Sequence, residues 1–226
     1  MNYKDIIQME QIPVLIIGNE DKIDVKDPKT GEKKTIMKYN LLNDPLYSPI
    51  LVALKEGPMT VRDLEKRYAE LAAEAKSDKT LYRYLKFLEK AGLVVPAGQR
   101  VTVGKTATEA LYARTAKLFY SSFAANDLWE CSFCNTVLDK AAKILSLRED
   151  LPNQNKSCVK KLMTSVDGYI FDEVSKFFED YSEEIAVITK ESNPYEMQRI
   201  TDVLSTILLL QKPKIYEKQL EECLSA

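Results

Sequence analysis

The pattern of apolar and polar positions changes character near residue 120 of the 226-residue chain. Before that point, short segments of alternating residues indicate β-strands and are mixed with segments of helical spacing. From Asp127 onward, apolar residues recur at intervals of three and four, which indicates amphipathic helices. The pattern predicts a mostly α-helical protein with small β elements: a short N-terminal β-hairpin extension at 1–42, a domain at 43–120 and an all-α helical domain at 121–226.

The N-terminal extension owes its β-hairpin prediction to two alternating segments. Residues Lys22–Lys26 and 34–38 alternate apolar and polar side chains, and residues 27–31 between them are rich in turn formers. Residues Ile12–Ile17 form a separate apolar strand candidate. We expect these strands to pack on the following domain as an accessory element.

Three successive helices are predicted after the hairpin. The first is expected to begin at Asp44-Pro45, a pair that suits a helix start before apolar residues at helical spacing, and to end at Gly57-Pro58. The second begins with Thr60 and Asp63, which have the spacing of a capping box. The third is capped by Ser77 and ends before Gly92, a residue suited to the left-handed position after a helix. Helices in this order are typical of a helix-turn-helix.

A second hairpin and a fourth helix are predicted next. Residues 93–95 and 100–103 have strand character, and the proline and glycine within 96–99 suit a turn between them. Helical spacing then resumes near 106–108 and continues past Tyr120. The hairpin that follows the third helix predicts a winged helix-turn-helix, with this hairpin as the wing.

A resemblance to a known family is carried by about a third of the chain. The segments are Leu46 to Leu54, Thr60-Val61-Arg62-Asp63-Leu64, Thr80 to Val94 with its Ala91-Gly92-Leu93-Val94 ending, and Val101-Thr102-Val103. They resemble prokaryotic winged helix-turn-helix regulators of the ArsR type, particularly archaeal members. The resemblance implies a transcriptional regulator whose third helix reads DNA and whose wing lies against the minor groove or the backbone. Metal-sensing members carry a cysteine pair in the third helix, and residues 81–90 contain none, so metal sensing is not implied.

The distribution of charge agrees with a nucleic-acid partner for the middle domain. The chain carries a net charge of -2, but residues 43–120 hold 13 basic and 9 acidic side chains, whereas residues 121–226 hold 12 and 18. Basic charge is therefore concentrated in the predicted winged domain. Most charged helix faces are simply solvated, so basic charge alone does not indicate DNA binding. The DNA-binding hypothesis rests on the position of this charge on the third helix of the predicted winged domain.

The candidate DNA contacts lie on the third helix and the wing. At 100° per residue, the basic residues of the helix fall opposite its apolar face. Residues near the N-terminal half suit base edges, and the remaining lysines suit phosphates. The predicted base readers are Thr80, Tyr82 and Arg83; the predicted phosphate contacts are Lys79, Lys86 and Lys90; the wing adds Gln99 and Arg100, followed by Lys105.

Composition argues against catalysis and against a bound cofactor. The chain has no histidine and only 7 glycines, with no phosphate-binding loop or dinucleotide fingerprint. We therefore expect no catalytic residues, no enzyme activity and no cofactor. No apolar run approaches a membrane span, and the first residues lack the pattern of a secretory signal, so a cytoplasmic protein is expected.

The four cysteines leave three alternatives open. Cys131 and Cys134 are spaced as a metal-binding pair, but Cys158 and Cys223 stand alone. Packing as small apolar residues is the favoured interpretation, ahead of a redox-responsive pair and of a zinc site. We predict no metal site.

The C-terminal helices are expected at about 127–147, 157–189, 195–211 and 213–224, with a break near Asp167-Gly168. Their apolar stripes predict a helical core and a homodimer interface. The leading hypothesis is a dimeric regulator that binds double-stranded DNA. An alternative is a winged-helix adaptor that binds proteins rather than DNA. A third hypothesis, compatible with the first, is a small-molecule effector held among Tyr169, Phe171, Phe177, Phe178 and Tyr181.

Overall fold

The chain forms two compact units, Met1–Tyr120 (unit 1) and Ser121–Ala226 (unit 2). The computed structural model describes residues 3–18, 21–26, 33–104, 107–121, 129, 132–148 and 156–224. Helices predominate in the described residues, and the strands form small sheets. The first 42 residues belong to unit 1 rather than standing apart from it.

Unit 1 combines two- and three-stranded sheets with short helices. Its elements are β1 (Tyr3–Ile7), β2 (Ile12–Ile17), β3 (Lys22–Lys26), β4 (Lys33–Met37), α1 (Tyr39–Asn43), α2 (Ser48–Ala53), a 3-10 turn (Leu54–Glu56), α3 (Val61–Leu71), α4 (Asp78–Lys90), β5 (Val94–Thr102), β6 (Thr108–Arg114) and β7 (Ala116–Ser121).

The predicted start of α3 and the predicted bounds of α4 are confirmed, although the Ser77 side chain makes no capping hydrogen bond. The backbone N–H of Asp63 donates to Thr60 Oγ1 at 3.2 Å, and the N–H of Thr60 donates to Asp63 Oδ2 at 3.2 Å, which closes the capping box. Helix α4 follows Ser77 and ends before Gly92, whose φ of 74° lies in the left-handed region. Its apolar face is fully buried in the core of unit 1, through Leu81, Leu85 and Leu88.

The first predicted helix is confirmed as α2 and the 3-10 turn that ends before Gly57, but its predicted start at Asp44-Pro45 is wrong because the chain turns there. Helix α1 ends at Asn43, and Asp44 adopts an extended conformation. The Asp44 carboxylate accepts a hydrogen bond from the N–H of Leu46 at 2.8 Å. A residue before proline disfavours the helical conformation, and aspartate readily forms this local turn. Pro45 therefore separates two helices instead of starting one.

The predicted turn at 96–99 and the predicted fourth helix are also wrong. Strand β5 runs without interruption through these residues, with a bulge between Pro96 and Gly98 that accommodates the proline. The returning strand β6 begins at Thr108, and β7 occupies the rest of the predicted helix. Buried residues alternate there with a period of two, as at Ala116, Leu118 and Tyr120 in β7. A period of two is typical of a strand. The same residues also show helical spacing, which is why the sequence pattern predicted a helix.

The sheets of unit 1 join distant parts of the sequence. Strands β1, β5 and β6 form one antiparallel sheet in the order β1-β5-β6, with Asp5 opposite Arg100. Strand β2 pairs with β7, and Met59 bridges Tyr112 of β6. Strands β3 and β4 form the predicted N-terminal hairpin, which is confirmed.

Unit 2 is helical in its described residues. Its helices are α5 (Ser132–Leu145), α6 (Lys156–Asp180), α7 (Ser182–Ile188), α8 (Pro194–Gln211) and α9 (Lys214–Leu224). The predicted break at Asp167-Gly168 is wrong, because α6 continues through both residues and ends at Asp180. A single helical glycine costs only about 1 kcal/mol. Trp129 Nε1 also donates to Asp167 Oδ2 at 2.8 Å, which anchors this part of the helix.

Candidate nucleic-acid interface

The basic residues predicted on the third helix lie on the solvent side of α4. Lys79, Arg83, Lys86 and Lys90 are all exposed, and the buried leucines occupy the opposite side. We call these four residues the basic stripe. Spacings of three and four residues place them along one face of the helix. The stripe is therefore available to an external partner.

The N-terminal half of the stripe carries cations without carboxylate partners in the described part of the chain. Arg83 Nη2 lies 3.4 Å from Thr80 Oγ1, which lies 3.2 Å from Ser77 Oγ. Lys79 and Arg83 form no ion pair with any described residue. An unpaired guanidinium beside a hydroxyl presents several donors at once, which suits the acceptor edge of a guanine or a phosphate.

Lys86 is held in place by neighbours on α4 and on β6. Its ammonium forms an ion pair with Glu89 at 2.7 Å and lies 5.7 Å from the ring centroid of Tyr82 and 5.9 Å from that of Tyr112. The hydrogen bond to Glu89 raises the pKa of Lys86. Lys86 is therefore charged at neutral pH, and binding a phosphate requires exchange of Glu89 for the new anion.

Lys90 connects α4 to the N-terminal hairpin. Its ammonium donates to the backbone carbonyl of Asp24 at 3.4 Å. Strand β3 therefore lies beside the C-terminal end of the basic stripe, a proximity that the sequence pattern did not predict.

Arg100 does not belong to the exposed basic set, contrary to its prediction as a DNA contact on the returning strand of the wing. Its Nε and Nη2 donate to the two carboxylate oxygens of Asp5 at 2.7 and 2.8 Å, and Nη1 donates to Asp63 at 2.6 Å. Its guanidinium also lies 4.0 Å from the ring centroid of Tyr3. Only 12% of the side chain is exposed, and these bonds lower the pKa of Asp5 and raise that of Arg100. Arg100 therefore links β5 to β1 and to α3 through largely buried hydrogen bonds.

The other predicted wing residues have different positions. Gln99 is exposed on β5, opposite Ile6 of β1. Lys105 lies outside the described residues. Sequence reasoning missed Tyr112, because its strand was predicted as a helix, and it missed Glu89, although the spacing of three from Lys86 was a visible signal.

Three of the aromatic residues named for a small-molecule effector, Phe177, Phe178 and Tyr181, lie at and just after the C-terminal end of α6. Phe178 is buried, whereas the rings of Phe177 and Tyr181 stack with centroids 4.9 Å apart and remain partly exposed. Core packing and surface stacking account for these three residues without a ligand.

The cysteines do not assemble a metal centre in the described residues. No group of three or more potential metal-ligating side chains occurs there. Cys134 is a buried thiol, and Cys158 is disulfide-bonded. Cys131 and the side chain of Cys223 lie outside the description.

Helices long and apolar enough to span a membrane are absent from the described residues. Compared with protein-family models and with curated proteins, the chain matches none of them.

Proposed function

We propose that this protein is a transcriptional regulator that binds double-stranded DNA through the basic stripe of α4. The observation that carries the proposal is the exposure of four cations on one face of a helix that is followed directly by an antiparallel hairpin. The order of α2, the Met59 bridge, α3, α4 and the β5–β6 hairpin supports a winged helix-turn-helix. The charge of residues 43–120 supports an anionic partner.

Helix α4 has dimensions that suit the major groove. Its 13 residues extend about 20 Å, and the major groove is about 12 Å wide. In this arrangement Arg83 and Thr80 contact base edges, and Lys79, Lys86 and Lys90 contact phosphates. Arg83 supplies discrimination of about 1–3 kcal/mol, and the lysines supply affinity that depends on salt.

The proposed regulator acts as a homodimer through unit 2. Helix α8 exposes Val203, Ile207 and Leu210, which follow one another at spacings of four and three and form an apolar stripe. A second copy of the chain is the proposed occupant, because a two-fold dimer presents two α4 helices to a palindromic site. Ile207→Glu together with Leu210→Glu is expected to halve the mass measured by light scattering to that of the 25.8 kDa chain. A native protein that is monomeric at micromolar concentration would contradict the dimer.

The DNA proposal is tested with Arg83→Ala combined with Lys86→Ala. Binding of a mixed-sequence duplex is measured by fluorescence anisotropy between about 50 and 200 mM salt, where losses of phosphate contacts change both affinity and salt slope. We expect affinity to fall by at least about thirty-fold and the slope to flatten by up to about 2. The matched control is Lys140→Ala with Lys143→Ala, two exposed lysines of α5 in unit 2, which should change neither quantity.

Two outcomes would overturn the DNA proposal. One is unchanged duplex binding by the α4 variant. The other is no measurable duplex binding by the native protein at about 50 mM salt, which would favour the protein-binding adaptor.

A further inference from the structure

The β3–β4 hairpin presents a second group of lysines beside the basic stripe. Lys22, Lys33 and Lys34 are exposed on this hairpin. Lys90, the last cation of the stripe, reaches the carbonyl of Asp24 on β3 at 3.4 Å. The hairpin lysines therefore continue a positively charged surface beyond the C-terminal end of α4.

The hairpin is held in a defined orientation by its apolar side chains. Ile23 is buried in the core of unit 1, and Val25 and Ile36 pack against that core. Strand register places Val25 opposite Lys34 and Ile23 opposite Ile36. Directly opposed residues share a face of the hairpin, so Lys34 lies on the core-facing side with Ile23 and Val25. Lys22 and Lys33 lie on the opposite face and are not needed for this packing.

Carboxylates do not neutralise the exposed hairpin lysines within the described residues. Asp21 lies 3.5 Å from the ammonium of Lys38, and Asp24 accepts a hydrogen bond from Thr35 at 2.7 Å. The full hairpin sequence, residues 21–38, holds six lysines against four carboxylates, a net charge of +2. A net positive element beside a DNA-reading helix is expected to attract the phosphate backbone.

We propose that the β3–β4 hairpin is a second DNA-contacting element, which binds backbone phosphates on the side of α4 marked by Lys90. This inference rests on the proposed function of α4. Each five-residue strand extends about 15 Å, and B-DNA carries one charge per about 1.7 Å of its axis, so several phosphates lie within the span of the hairpin. The hairpin contributes affinity and a longer footprint, and it does not read sequence.

The test replaces Lys22 and Lys33, two exposed lysines on the outer face of the hairpin, by alanine in the full chain. Duplex affinity at ~0.15 M salt is expected to fall by about thirty-fold, and the salt slope is expected to flatten by about 2, since each phosphate contact contributes about 0.9. The arginine pair, Lys22→Arg with Lys33→Arg, should retain native affinity because it keeps the charge. The control pair in α5, Lys140→Ala with Lys143→Ala, removes the same charge from unit 2 and should have little effect.

The outcomes separate this inference from the function on which it rests. If the α4 variant loses binding while the alanine pair in the hairpin matches the α5 control, the hairpin proposal is overturned and DNA binding by α4 stands. If neither variant weakens binding, both proposals fail. Equal thermal unfolding of the hairpin variant and the native protein shows that lost affinity reflects lost contacts, because both replaced side chains are exposed.

Discussion

Replacement of Arg114 by methionine is expected to stabilise unit 1, although it removes a buried side chain at the end of β6. Arg114 is only 7% exposed, and its Nε has no hydrogen-bond acceptor among the described residues. Its guanidinium lies 4.4 Å from the ring centroid of Phe119. The residue is therefore a buried cation, and the contact with the ring of Phe119 is the interaction in the described part of the chain that offsets its desolvation cost.

The magnitude follows from the titration of the buried group. Burial lowers the pKa of Arg114 to about 10, and this decrease corresponds to about 3 kcal/mol of cost for the charged form in the folded state. A desolvated cation–aromatic contact stabilises the folded state by about 2 kcal/mol, which offsets part of this cost. Methionine keeps much of the apolar stem and has no charge to desolvate, so a net gain of about 1 kcal/mol is expected. Since the folded-state pKa lies well above neutrality, the gain should be constant between pH 6 and pH 8.

The assay is urea unfolding followed by far-UV circular dichroism, with the fluorescence of Trp129, the chain's one tryptophan, as a reporter for unit 2. The Trp129 transition should not move. The matched variant is Arg100→Met, which leaves two carboxylates without their cation and should destabilise unit 1 by about 3–5 kcal/mol. Loss of more than about 1 kcal/mol in the Arg114 variant would refute the reasoning, because it would show that the guanidinium makes a favourable interaction.

Three further predictions concern stability. Thr60→Val should cost about 1 kcal/mol in the free energy of unfolding by removing the cap of α3; an unchanged denaturation midpoint would contradict this. Gly98→Ala should lower the free energy of unfolding by at least about 2 kcal/mol, because the added Cβ would lie 2.0 Å from a carbonyl oxygen of β1. The control Gly104→Ala has open space around the new Cβ and should cost about 1 kcal/mol. Equal midpoints of the two variants in urea would disprove the clash. Burial raises the pKa of Asp167, so its contribution to stability is largest at acidic pH and falls as pH rises through that pKa. Asp167→Asn keeps an acceptor for Trp129 and does not ionise. The difference in free energy of unfolding between this variant and the native protein should therefore grow in favour of the variant from pH 4 to pH 7. Fluorescence-detected unfolding that shows the same difference at every pH would count against this account.

The elements that the sequence predicted well are those specified by neighbours in the chain. Thr60 and Asp63 are three residues apart, and α4 is bounded by Ser77 and Gly92, so local geometry determined both helices. The exposed face of α4 followed from the same periodicity. Whether this face binds DNA remains a prediction.

The elements that the sequence did not predict depend on distant partners. Residues 108–121 carry both helical and alternating spacing, and pairing of β6 with β5 and of β7 with β2 selected the strand. Arg100 looked like an exposed wing cation, but its carboxylate partner Asp5 lies 95 residues earlier. Nothing in the residues adjacent to Arg100 signals that partner. The contact between Lys90 and Asp24 is unpredictable for the same reason.

The pairing of β1 with β5 also imposes an order on biosynthesis. At about 5–20 residues per second, the 95 residues that separate Asp5 from Arg100 take roughly 5–20 s to translate. During that interval β1 is synthesised but has no partner strand. Its unpaired backbone groups, together with Ile6 and Ile7, can pair with other nascent chains. Lys4 and Asp5 place charges on the same short segment, which limits that hazard. Helix α4 precedes β5 and β6 in the chain, so the proposed DNA-reading element is synthesised before the sheet that contains β1 can close.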